Sequence, residues 1–187
     1  MVMGARNAFT LIELLVVVAI ISILTSIAVP NFQHAQVKAK TTAALADMRS
    51  LATAVESYHL DHNSYPLDGN DYPQMIDEYF DQQFIQHLLT TPIAYISEVP
   101  GDIFHTKNTH RYDPLTARYF LSRPPYPYIY FSKDNFVVNH GSPQGYFLFS
   151  LGPDLHFDNA STRPEEFLRY DMSNGIVSTG DLLRKGP

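Results

Sequence analysis

Ala8-Phe9-Thr10-Leu11-Ile12-Glu13-Leu14-Leu15-Val16-Val17-Val18 opens an apolar run that continues through Ala19, Ile20, Ile21, Ile23, Leu24, Ile27 and Ala28 to Val29. From Phe9 to Val29 the run is 21 residues long, or ~31 Å of helix at ~1.5 Å per residue. That length matches the ~30 Å hydrocarbon core of a bilayer. Glu13 is the one ionisable side chain within it. A carboxylate toward the centre of a membrane helix costs ~2.5 kcal/mol or more, so it asks for a partner. Two readings follow. In one, the segment is a signal anchor whose acid snorkels to the interface. In the other, Glu13 meets a positive charge supplied by another subunit.

The residues before Phe9 bear on that choice. Met1 to Ala8 is a short polar leader whose only charged side chain is Arg6. A secretory signal peptide has its small-residue cleavage site after the apolar region, whereas here the small residue, Ala8, lies before it. A cut between Ala8 and Phe9 keeps the apolar segment as the mature N-terminus and frees an α-amine one helical turn from Glu13. Arg6 alone is a weak cytoplasmic vote under the positive-inside rule.

Ala8-Phe9-Thr10-Leu11-Ile12-Glu13-Leu14 resembles the prepilin processing motif of type IV pilins and type II secretion pseudopilins. The resemblance implies that a prepilin peptidase cuts between Ala8 and Phe9 and methylates the Phe9 amine. It also implies that Glu13 pairs with the N-terminal amine of a neighbouring subunit as a filament grows. Ala8 stands where the family usually has glycine, so processing is expected at a reduced rate.

Composition agrees with an anchored globular protein. The stretch beyond the anchor is long enough for one domain with one core. The formal net charge of −6, with no basic stripe, argues against nucleic acid as a main partner. There is no cysteine, so the domain holds together by packing and by any bound ion, without the disulfide that closes the C-terminal region of many type IV pilins.

Pro30 follows the apolar run directly. Within a helix it removes one backbone bond and crowds the Ser26 carbonyl, so a helix end at Pro30 is one reading. Against it, Val37, Ala44, Met48, Leu51, Val55 and Tyr58 resume an apolar stripe at spacings of mostly three and four. Lys38, Lys40, Asp47, Arg49 and Glu56 take other positions. The pattern predicts one helix from Phe9 to about Leu60, apolar all round in its first half and amphipathic in its second. Pilins and pseudopilins share such a helix, with a proline where Pro30 stands. Asp61-His62-Asn63-Ser64-Tyr65-Pro66 then ends it, since Pro66 disfavours helix at Tyr65. His59 and His62 flank Asp61, and solvated histidines at a helix end outweigh a metal site there.

Beyond the helix, Asp68 to Pro73 reads as a loop. Phe84, Ile85, Leu88 and Leu89 suggest a short helix over 82–89. Thr91-Pro92 through Val99-Pro100-Gly101-Asp102-Ile103-Phe104 is similar to a connection in major pseudopilin-like proteins. Tyr126 to Ser132 and Gly145 to Leu151 read as aromatic strands joined by a turn over 139–143, with a weaker third strand over 175–178 followed by Asp181-Leu182-Leu183-Arg184. The aromatics point to core packing and intersubunit contact ahead of carbohydrate binding. The fold class is therefore α+β and type IV pilin-like: a long N-terminal helix, transmembrane in its first half, packed on a small antiparallel sheet. The organisation is a leader over 1–8, a membrane or filament-core helix over 9–30, its amphipathic continuation over 31–63 and a globular region over 64–187.

No catalytic constellation appears. The eight histidines are scattered, and there is no His-Glu-x-x-His, phosphate loop or nucleophile elbow. The candidate ligand site is Ser150-Leu151-Gly152-Pro153-Asp154-Leu155-His156-Phe157-Asp158-Asn159. Calcium takes six to eight oxygen ligands, and Asp154 with Asp158, Asn159 and free carbonyls offers several. A plain acidic turn is the competing reading. Ser150 to Asp154 resembles the major pseudopilin loop that binds a structural calcium ion, with Leu155 in place of a glycine.

The resemblance implies a pseudopilin-like subunit of a type II secretion system. Its expected partners are copies of itself in a homopolymeric filament, minor pseudopilins, an inner-membrane assembly platform and the prepilin peptidase. Its expected place is the inner membrane, single-pass, with the globular region in the periplasm. A type IV pilin for adhesion, motility or DNA uptake is the alternative, and a membrane-anchored binding module is a third.

Overall fold

A computed structural model of the chain describes residues 9–67, 88–105, 112–113, 118–119, 128–132, 145–156, 167–174 and 178–187. Its first element, α1, is a single 52-residue helix from Leu11 to His62. Pro30 lies inside α1 and does not end it. The chain divides into two compact units, residues 1–36 and 37–187.

In the first unit the helix is long and apolar enough to cross a membrane. Every described side chain from Phe9 to Gln36 is exposed. The two serines of the apolar run are satisfied within the helix. The Ser22 hydroxyl donates to the Val18 carbonyl at 2.8 Å and the Ser26 hydroxyl to the Ile23 carbonyl at 2.7 Å, which is how hydroxyls are tolerated where no water can serve them.

In the second unit α1 becomes one-sided. Thr41, Ala44, Met48, Leu51, Ala52, Ala54 and Val55 are buried, while Val37 and Tyr58 are half-buried at the ends of the stripe. This is the period-3.6 face read from the sequence. The helix stops at a left-handed residue, Asn63 (φ 52°). Its N–H donates to the His59 carbonyl at 2.8 Å. Asparagine tolerates that conformation because its short polar side chain bonds locally.

Strands β1 (Tyr112–Asp113) and β2 (Arg118–Tyr119) pair antiparallel. Strands β3 (Ile129–Phe131), β4 (Phe147–Ser150) and β5 (Leu182–Lys185) form an antiparallel sheet in the order β3-β4-β5. Tyr130 stands opposite Leu148, and Phe149 opposite Leu183. All four residues of β4 are buried. Phe147 and Phe149 each meet Phe167 edge to face, with centroids 5.5 and 5.3 Å away, an arrangement aromatic quadrupoles favour. The expected aromatic strands at 126–132 and 145–151 are thus present in shorter form. The expected third strand over 175–178 lies mostly outside the described residues. The third described strand is the following segment, Leu182–Lys185. The expected loop at 68–73, most of the helix at 82–89 and the turn at 139–143 also lie outside the described residues, although 88–90 are helical.

Tyrosine hydroxyls bind the sheet and its connections to α1. The Tyr128 hydroxyl donates to Asp47 at 3.1 Å, Tyr146 to the Ala52 carbonyl at 3.4 Å and Tyr130 to the Pro66 carbonyl at 2.9 Å. Burial and the nearby carboxylates push the Tyr128 and Tyr146 phenols well above their ordinary range, so they remain donors. The C-terminal end closes on the same surface. The Gly186 N–H donates to the Tyr146 carbonyl at 2.9 Å, and a Cβ on Gly186 would lie 2.2 Å from the Tyr146 ring.

Asp102 is the one acid of the 88–105 segment that is buried. Its carboxylate accepts from the Phe104 N–H at 3.0 Å, the Ser150 hydroxyl at 2.8 Å and the Leu151 N–H at 3.2 Å. These bonds tie the connection before β1 to the end of β4. Burial, opposed by those three donors, pushes its carboxyl up to about 6. The folded protein then holds a proton that the unfolded chain releases at lower pH. The contribution favouring the fold is present below about pH 4 and lost as pH rises through about 6. Thermal melts of the detergent-solubilised chain from pH 4 to 7 therefore contain a component falling by up to about 1.4 kcal/mol per pH unit. Asp102→Asn removes that component; an identical pH profile in the variant would contradict the assignment.

Candidate functional site

The first turn of α1 is a capping box built from Thr10-Leu11-Ile12-Glu13. The Thr10 hydroxyl accepts from the Glu13 N–H at 3.3 Å, while the Glu13 carboxylate accepts from the Thr10 N–H at 2.8 Å and from the Thr10 hydroxyl at 2.6 Å. Two helix-terminal N–H groups are thus satisfied reciprocally. The negative charge also sits at the positive end of the helix dipole. Both bonds to the carboxylate end on Oε2, so Oε1 is the oxygen open to a further partner.

From the sequence Glu13 is either an acid snorkelling from a signal anchor or one that meets a charge from another subunit; in the structure Thr10 supplies it donors within the chain. The Thr-x-x-Glu spacing ahead of an apolar run was the available signal. The capping box changes the energetics of the isolated chain, because Glu13 carries its own donors into the membrane interface. The carboxylate is thereby held in one place, with Oε1 outside the box. Phe9 is 73% exposed one turn away. Ala8 and the rest of the leader lie outside the described residues. Pro30 is placed well along α1, where it leaves one carbonyl of the apolar segment without its helical donor.

The acidic loop after β4 is partly described. Leu151 and Gly152 are buried and Asp154 is half-buried. Asp154 Oδ1 accepts from the His156 N–H at 3.2 Å, and the Leu155 N–H donates to the Gly152 carbonyl at 3.2 Å. Gly152 (φ 70°) and Leu155 (φ 59°) are both left-handed. A Cβ at Gly152 would lie 2.9 Å from the Gly180 carbonyl, so only glycine fits there. Leu155 holds a conformation that favours glycine, and glycine is the residue the resembling loop has at that place. Asp158 and Asn159 lie outside the described residues. Among the described residues no three His, Asp or Glu side chains come together to hold a metal ion, and Asp154 is the one expected ligand of the loop that lies among them.

The histidines at the end of α1 are occupied by rings. His62 stacks on Tyr58 at 4.0 Å with its Nδ1 3.1 Å from the Tyr58 carbonyl, and His59 stacks on Tyr65 at 4.1 Å. Asp61 accepts from the Tyr95 hydroxyl at 2.7 Å. These contacts lock the helix exit against the connection that follows.

Comparison with known proteins adds to this picture. The family described as the prokaryotic N-terminal methylation motif matches residues 3–29. A fimbrial protein of Pseudomonas aeruginosa is 46% identical over 59 residues, covering 32% of this chain and 38% of that protein. The type II secretion system core protein G of Pectobacterium carotovorum is 41% identical over 58 residues, covering 31% and 37%. These matches thus span well under half of the relatives' own length. The type II secretion system core protein G of Escherichia coli is 29% identical over 154 residues, covering 80% of this chain and 83% of that protein. No solved structure matches. The similarity to core protein G therefore extends beyond the helix into the globular unit, whereas the similarity to the fimbrial protein covers about a third of this chain.

Thr10→Ala removes one half of the capping box, and lost N-caps cost ~0.5–2 kcal/mol. Amide exchange of the micelle-bound chain will be at least about twofold faster at Glu13 in that variant, with residues beyond Val16 unchanged. Equal exchange at Glu13 would mean the box is not formed.

Proposed function

We propose that the chain is a structural subunit of a type II secretion pseudopilus, and that assembly is its function. The observation that carries this reading is the first unit itself: an exposed apolar helix whose single acid sits capped at its N-terminus. Water cannot be the final environment of such a surface. A bilayer holds it before assembly, and the helices of neighbouring copies hold it afterwards. The similarity to core protein G over most of the chain favours secretion over a pilus used for adhesion, motility or DNA uptake.

In this reading the prepilin peptidase cuts between Ala8 and Phe9 and methylates the new amine. The chain then sits in the inner membrane by one span, with residues after Pro30 in the periplasm. As a filament grows on the assembly platform, the Phe9 amine of one copy pairs with Glu13 of its neighbour. Within the low dielectric of a helix core such a pair is far stronger than in water. Minor pseudopilins complete the filament, and its movement drives exoproteins outward. No enzymatic role is proposed.

Intact-mass analysis of the mature chain is expected to begin at an N-methylated Phe9, and Glu13→Ala is expected to abolish filaments while leaving the chain in the membrane. A leader still attached, or filaments at the wild-type level in the variant, would defeat this reading.

The same reading places a structural calcium ion at the loop after β4, with Asp154, Asp158 and backbone carbonyls as ligands. Calcium is then expected to raise the melting temperature of the solubilised chain, and Asp154→Ala to cancel the rise. A flat response in the unaltered chain would leave the loop as an acidic turn.

A further inference from the structure

We propose that identical copies are locked along their axis by charge pairing between Asp61 of one α1 and the Lys38–Lys40 turn of the α1 beside it. The proposal rests on the assembly reading above and adds the contact that sets the stagger. All three side chains belong to the second unit and are exposed.

The electrostatics of α1 alone do not account for this charge order. Asp61 stands in the last turn of α1, the end where the helix dipole disfavours an anion. Lys38 and Lys40 precede it by 23 and 21 residues on the same helix, roughly 32–35 Å at ~1.5 Å per residue. No intramolecular pairing along α1 can join them. Asp61 is nevertheless held in a fixed pose, because its Oδ2 accepts from the Tyr95 hydroxyl at 2.7 Å. Tyr95 in turn packs edge-on to Tyr58 and His62. Oδ1 is left for a partner from outside.

The occupant is a second copy of this chain. Copies whose N-terminal helices share one membrane run parallel, so an anion at the far end of one helix and cations nearer the start of another align only when the copies are staggered. The offset that aligns them is the same ~32–35 Å. Lys38 and Lys40 project ~200° apart around the helix, so neighbours on either side meet one of them. Between them the face of Ala39, Ala43, Ala46, Ser50 and Thr53 is exposed and small. The Ser50 and Thr53 hydroxyls donate to the carbonyls of Ala46 and Arg49, which leaves that face free of unmet donors as a neighbour approaches.

The test is a charge swap in the full chain, expressed with its assembly machinery, reading filaments sheared from cells. Lys38→Glu with Lys40→Glu, and Asp61→Lys alone, are each expected to lower filament yield about tenfold. The combination of all three is expected to restore it to within about twofold of the unaltered chain. Restoration can act only between copies, because the swapped groups are too far apart on one helix. Arg49→Glu with Asp61→Lys tests a shorter stagger of roughly 18 Å, and rescue by that pair instead would overturn the proposal. So would unchanged yield in the single-site sets, or a combined variant no better than they are. An unaltered chain that forms no filament would instead overturn the assembly reading together with this one.

Discussion

Fourteen large apolar side chains between Leu11 and Phe32 stand exposed on one helix, each at least 45% open to its surroundings. Covering them is worth on the order of 20 kcal/mol at ordinary transfer values, more than the whole folding stability of a typical domain. That unmet burial dictates what the rest of the chain must do. The serines inside the run bond back to their own helix, and Glu13 is furnished with donors by Thr10. The serines and Glu13 are therefore settled locally, and the apolar surface is what remains to be covered. A bilayer and a bundle of like helices can each cover it, so a subunit can pass from one to the other with its helix intact.

The second unit solves a different problem, which is to give the same helix a fixed polar neighbour. Met48, Leu51 and Val55 carry the stripe that packs on the aromatic sheet, and Tyr128, Tyr130 and Tyr146 fasten its edges by hydroxyl bonds to Asp47, the Pro66 carbonyl and the Ala52 carbonyl. Asp102 performs the same task between loops. Without cysteine, cohesion of this unit rests on such bonds and on ring packing. The exposed side of α1 is left to face other molecules.

Much of this was legible before any coordinates. A 21-residue apolar run, a stripe at spacings of three and four, and aromatic strands all announce themselves by local periodicity. Pro30 does not stop the helix, and the periodic residues that resume after it say so in the sequence. Other features escaped for physical reasons. Leu182–Lys185 pairs with β4 although Leu-Leu-Arg-Lys has no alternation, because an edge strand is selected by its neighbour. Asp102 and the tyrosine bonds join residues tens of positions apart, and no spacing rule records such partners. Thr10 is the opposite case: its capping box was written in four consecutive residues and was overshadowed by the charge of Glu13.

The central claim is that Glu13, held by Thr10 in the single chain, takes the Phe9 amine of a neighbouring copy on assembly. The most direct measurement is solid-state NMR on filaments grown from a mixture of two pools, one labelled with nitrogen-15 and the other with carbon-13. The account predicts a contact between the Phe9 amine nitrogen and the Glu13 side-chain carboxyl carbon within about 4 Å, present only in mixed filaments and absent from the micelle-bound monomer. Mixed filaments without that contact would contradict it.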